Sequence, residues 1–181
     1  MSRAIESLTG GVFVLAAILL HVRFMGVAMM GLNVGLVIAY LVWLSREDGR
    51  GSGSSKVLSI YLTGIAVQCA HFCEEYLTGF QTRFPGLAGY RWSDGLFVAF
   101  NLIWLCWFVL AAVGGLYRVR LAYLVVWFFA LAGGIGNGIV HPVLSIIQGG
   151  YFPGLITSPA HLIIGILLTR ALVKARRGAK G

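Results

Sequence analysis

The sequence predicts an all-α membrane protein: a bundle of about six transmembrane helices forming a single domain over residues 1–181. Three observations lead there. Of 181 residues, 59% are hydrophobic and only 11% are charged, against roughly 25% charged in an ordinary soluble domain. Mean hydropathy is +0.87, which excludes a disordered chain. The apolar residues fall in long continuous runs, and at about 20 residues per span the length accommodates six helices and little else. Alternating ten-residue segments, the mark of a spanning barrel, are missing. A soluble catalytic domain has no room, so any chemistry belongs in the membrane or at its edge.

The elements follow in order. Segment one is expected from Ile5 to Val22 and is read as a retained helix rather than a cleaved signal, because no small-residue cleavage site precedes the next span. Arg23 interrupts, and segment two runs from Phe24 to Leu44. The stretch from Ser45 to Lys56 holds Arg46, Glu47, Asp48, Arg50 and a Gly-Ser run, which reads as a flexible loop. Segment three covers Val57 to Thr78, followed by a loop to Asp94. Segment four covers Gly95 to Tyr117, and Arg118-Val-Arg120 forms a basic turn. Segment five runs from Leu121 to His141, where Pro142 ends or bends the helix. A short interfacial or re-entrant connection reaches Gly154. Segment six covers Leu155 to Val173, and a basic tail closes the chain.

The net charge of +8 then reads as topology. Six spans place both termini on one side, with Arg3, Arg46, Arg50, Lys56, Arg118, Arg120, Arg170, Lys174, Arg176, Arg177 and Lys180. Only Arg23, Arg83 and Arg91 fall on the other side. The bias makes both termini cytoplasmic and leaves no need for a nucleic-acid partner. The expected location is a bacterial cytoplasmic (inner) membrane. Membrane lipids are the expected partners, and an oligomer or larger complex is open. The three cysteines, Cys69, Cys73 and Cys106, lie in apolar runs, and an odd number gives no disulfide framework.

Ionisable groups inside spans are costly, at least about 2.5–3.5 kcal/mol for a central charge. Segment three nevertheless carries His71-Phe-Cys-Glu74-Glu75. At 100° per residue, His71, Glu74, Glu75 and Thr78 share an arc of roughly 100°, while Cys69 and Cys73 face away. All four histidines, His21, His71, His141 and His161, and both glutamates fall in one outer layer of the membrane. Asn137 stands one turn before His141, and Thr157 one turn before His161, each spaced to fix the tautomer of its imidazole. Gly133, Gly134, Gly136 and Gly138 thin segment five for close packing or a local irregularity. The Tyr151-Pro153-Gly154 turn is placed as an interfacial re-entry or a lip over the site.

Imidazole and carboxylate together suit zinc, iron or manganese. His71, one glutamate and His141 make three ligands with a fourth position open. The other glutamate is then a general base. A two-metal arrangement using both glutamates and His161 is the alternative ligand set. Metal candidates are therefore His71, Glu74, Glu75, His141 and His161. Catalytic candidates are Glu74 and Glu75. Asn137, Thr157 and Tyr151 are placed behind them.

The residues resemble the HXXEE family of integral membrane proteins. His71-Phe-Cys-Glu74-Glu75 matches its first block. Asn137-Gly-Ile-Val-His141 is similar to the second, with Gly138 where Ala often follows the Asn. Tyr151-Phe-Pro153-Gly154-Leu-Ile-Thr157 is similar to the third. The resemblance implies a membrane enzyme or metal site and no particular reaction. A weaker chemical similarity is to the intramembrane CAAX-type proteases, whose Glu-Glu-x-x-x-Arg has Gly79 at the arginine position here.

The expected function is a metal-binding, hydrolytic site in the outer half of the bilayer, acting on a lipid-like or small-molecule substrate. Two other classes stand beside it: an ion or proton transport component, and a structural or cofactor-binding subunit of a larger membrane complex.

Overall fold

A computed structural model of the chain describes residues 2–45 and 55–177. Among these every regular element is helical and no strand occurs. The expected loop over Arg46, Glu47, Asp48 and Arg50 and the last residues of the basic tail lie outside the described residues.

Helix α1 (Arg3–Met25) starts on Ser2, whose side chain accepts the Ile5 amide, a standard N-cap. It ends at Gly26 with φ +74°, three residues later than the expected break at Arg23. Tyr90 lies where a Cβ on Gly26 would sit, 2.4 Å from its ring, so both space and backbone require glycine here. One 3₁₀ turn (Gly26–Met29) reverses the chain into α2 (Met30–Ser45). The two legs lie antiparallel: the Tyr40 hydroxyl donates to the Ser7 carbonyl at 2.9 Å, and His21 meets Asn33 near the turn.

Helix α3 (Ser55–Leu77) carries the His/Glu motif. The following connection is not plain loop: it contains a short helix, α4 (Phe80–Gly86), entered through Gly79 at φ +84°. Ser93 caps α5 (Asp94–Leu116) by accepting the Leu96 amide. After a turn with Arg118 at φ +54°, one long helical stretch runs from α6 (Ala122–Phe128) through a π-helical segment (Phe129–Gly136) into α7 (Asn137–Ile147). Pro142 does not end it, because the helix continues five residues further. Helix α8 (Ser158–Arg177) begins three residues later than expected.

The π segment and the start of α7 pack tightly on α8. A Cβ on Gly134 would lie 2.5 Å from the Gly165 Cα, and one on Gly138 would lie 2.5 Å from the Leu162 Cβ. The α7 side of the bundle therefore touches α8 backbone to backbone, as small residues allow in membrane bundles. π-helical segments are often found next to functional sites.

Five stretches are long and apolar enough to cross a membrane: Arg3–Ser45, Ser55–Leu77, Asp94–Leu116, Ala122–Ile147 and Ser158–Ala175. The first is bent back on itself at Gly26, so the bundle has six legs. Large apolar side chains such as Leu8, Leu41, Leu62, Ile103, Leu110 and Ile163 point outward, a surface suited to lipid rather than water. Inside, Trp43, Tyr61, Phe108, Phe128 and Phe129 form the core. Of the aromatic residues in segments four and five, Trp104, Phe108, Trp127, Phe128 and Phe129 are buried packing residues, and Trp107 is exposed. At the end that holds the start of α1 and the last turns of α8, Arg120 bonds Glu6 at 3.2 Å and covers the Trp43 ring at 4.2 Å. The His/Glu motif lies at the opposite end.

Candidate metal centre

Three elements converge at that opposite end. The last turns of α3 bring His71, Glu74 and Glu75. The middle of α7 brings His141, and the first turn of α8 brings His161. The connection between α7 and α8 closes over them with Pro153, Gly154 and Thr157. His71, Glu75, His141 and His161 are all buried. The ring centroids of His71 lie 4.7 Å from His141 and 4.6 Å from His161. The depth shared by these three histidines in the sequence is thus a real cluster. His21 is at the same end but stands apart and is buried rather than near water. It donates from Nδ1 to Asn33 at 2.6 Å and accepts at Nε2 from the Trp104 indole at 3.3 Å.

The two adjacent glutamates do different work. Glu74 receives four donors: the Tyr151 hydroxyl (2.7 Å) and Ile156 amide (2.9 Å) on Oε1, and the Thr157 amide (2.9 Å) and hydroxyl (2.5 Å) on Oε2. Both oxygens are occupied, so this carboxylate clamps the α7–α8 connection onto α3. Burial, opposed by Thr78 and reinforced by Glu74, raises the Tyr151 phenol above its ordinary value. The phenol therefore keeps the proton it donates.

Glu75 faces inward. Its Oε1 lies 3.5 Å from His71 Nε2 and 3.5 Å from His141 Nε2. The tautomers of both rings follow from their other nitrogens. His141 Nδ1 is 2.5 Å from the Pro153 carbonyl, which can only accept, so Nδ1 holds the proton. The Thr157 hydroxyl has one proton and gives it to Glu74 at 2.5 Å. It must then accept from His71 Nδ1 at 2.6 Å. Both Nε2 lone pairs therefore turn toward the same carboxylate oxygen.

The ligating atoms of His71, Glu75 and His141 lie within 4.8 Å of one another. Two ligands at about 2.1 Å on a tetrahedral ion stand about 3.4 Å apart, so the two 3.5 Å separations fit a small divalent cation. His161 lies beside this trio. Its ring nitrogens make no hydrogen bond of good geometry, although the Gly133 carbonyl is near.

The same residue pattern defines a family. The model describing proteins of unknown function with an HXXEE motif matches residues 62–168. The chain belongs to that family. No curated protein and no solved structure matches it.

The structure redistributes the supporting residues. Thr157, one turn before His161, bonds His71 instead. Asn137 opens α7 half-buried, and His141 is held by the Pro153 carbonyl. Tyr151 reaches Glu74. Phe80 had no role assigned from the sequence, and Gly154, placed there only in a turn or lip over the site, has a specific one. Phe80 of α4 packs on the His141 ring at 5.6 Å. Gly154, at φ +90°, leaves space that a Cβ would fill 2.3 Å from His141 and 2.8 Å from His71. Phe80 carries no readable signal, but the Pro153-Gly154 pair marked its turn.

Proposed function

We propose that this HXXEE-family protein is a six-span integral membrane protein with both termini cytoplasmic, and that His71, Glu75 and His141 hold one divalent transition metal for hydrolytic chemistry near the outer face. The paired tautomers carry the reading. Two imidazoles, each fixed through Nδ1, aim Nε2 at one carboxylate oxygen. Three lone-pair acceptors facing one another repel unless a cation or a proton lies between them. The residues are one carboxylate and two imidazoles, a set used by hydrolytic zinc sites that keep an open position. A divalent metal there supplies Lewis acidity and makes water a better nucleophile near neutral pH.

The other residues divide the remaining tasks. Glu74, saturated by four donors, positions Thr157 and through it His71. His161 stands beside His71 with a ring free of good hydrogen bonds, and Glu74, with both oxygens occupied, is not the base. Phe80, Phe152 and the Pro153-Gly154 turn cover the site and limit water.

Metal analysis of tag-free protein tests this. One zinc, iron or manganese per chain is expected in the wild type, with loss in His71→Ala, Glu75→Gln and His141→Ala. Absence of stoichiometric metal after reconstitution with each of the three ions would overturn it.

A further inference from the structure

A cavity of about 310 Å³ separates α1 from α5. Its walls extend from Phe13 to Met25 on α1 and from Leu96 to Trp107 on α5. At 1.5 Å per residue the slot is about 18 Å long, close to one leaflet of a hydrocarbon core about 30 Å thick. A slot of that length suits an extended chain lying along the helices.

The lining says what kind of chain. His21 and Trp104 use their polar atoms on each other and on Asn33, which leaves the occupant an apolar wall. The lips of the slot, Leu20, Phe24 and Ile103, are more than half exposed, so it opens sideways onto the apolar surface. Beside the lip stands Arg23, at the membrane end of α1. It is exposed, its guanidinium lies 5.5 Å from the Phe24 ring centroid, and it pairs with no carboxylate among the described residues. A basic side chain at a helix end reaches the headgroup layer, where it attracts anionic lipid.

We propose that this slot binds one acyl chain of an anionic phospholipid, with Arg23 at its headgroup. Apolar length fits the chain, and the unpaired cation fits the phosphate. This is independent of the metal centre, which lies on the other side of the aromatic cluster Phe72, Phe80 and Phe97.

Native mass spectrometry of the full chain in mild detergent tests it, with phosphatidylglycerol and phosphatidylcholine of equal chain length supplied together. One retained lipid per chain is expected, with phosphatidylglycerol favoured about fivefold. Arg23→Gln should abolish that preference. Ala99→Phe, which fills the slot, should lower retention of both lipids at least tenfold. Lipid retention unchanged in Ala99→Phe, no headgroup preference in the wild type, or detergent alone in the slot would each overturn the proposal. Arg23 is exposed, so its variant remains decisive if Ala99→Phe fails to fold.

Discussion

Thr157→Val is the sharpest test of the site, because it changes neither a ligand nor the size of the side chain. It removes one hydroxyl that accepts from His71 Nδ1 at 2.6 Å and donates to Glu74 at 2.5 Å. Glu74 keeps three donors and stays in place. His71 does not: its Nδ1 proton is left buried without an acceptor, at a cost of about 1–3 kcal/mol. The ring can avoid that cost by moving the proton to Nε2, the nitrogen aimed at Glu75. Either way the ligand set is damaged. Loss of an outer partner of a metal-bound histidine lowers affinity by about 10- to 100-fold, or about 1.4–2.7 kcal/mol, the same scale as the orphaned donor. Competition with a chelator of known affinity measures this directly. Asn137→Ala is the control, because Pro153 and not Asn137 holds His141. Wild-type affinity in Thr157→Val, or equal losses in the two variants, would refute the assignment of the His71 tautomer.

Three further outcomes follow from the packing. Gly154→Ala should abolish metal binding without touching a ligand, since its Cβ falls 2.3 Å from His141 Nδ1 on a backbone with φ +90°; metal content reads it. Gly134→Val should lower the detergent unfolding midpoint, because its Cβ meets the Gly165 Cα at 2.5 Å and backbone cannot move aside as a side chain can; overpacking costs about 1–3 kcal/mol. His21→Ala should destabilise by about 1–3 kcal/mol through the loss of Asn33 and Trp104 as partners while metal content stays at the wild-type level, as calorimetry and metal analysis would show.

The fold was legible to the extent that it depends on hydrophobic runs. The long helical stretches were readable as apolar blocks, and the hairpin of α1 and α2 as a break between two of them. The position of that break was not, because Arg23 can leave the membrane from inside a helix while Gly26 supplies the positive φ that reverses the chain. Pro142 misled for a similar reason: proline removes one hydrogen bond, and α7 continues past it under packing against α8. In the site, shared depth along the helices was enough to gather His71, His141 and His161. Depth could not assign partners. Thr157 is one turn from His161 along the chain, yet its hydroxyl is directed to α3 because Glu74 draws both its amide and its hydroxyl. Side-chain pairing across helices depends on rotation and offset, which periodicity leaves free.

The motif itself explains why two glutamates stand side by side. Successive positions on a helix differ by 100°, so Glu74 and Glu75 cannot face one pocket equally. Glu75, four residues after His71, lies on the same face and meets it and His141 at 3.5 Å. Glu74, three residues after His71, is turned toward the α7–α8 connection and receives its backbone amides and hydroxyls. The Thr157 hydroxyl then returns the effect of Glu74 to His71. One carboxylate thus meets the histidine at Nε2 directly, and the other governs its Nδ1 through a single hydroxyl. A one-residue insertion between His71 and Glu74 would rotate both acids by 100° and break both links at once. The fixed spacing therefore has a physical requirement: it sets the two ends of one imidazole simultaneously.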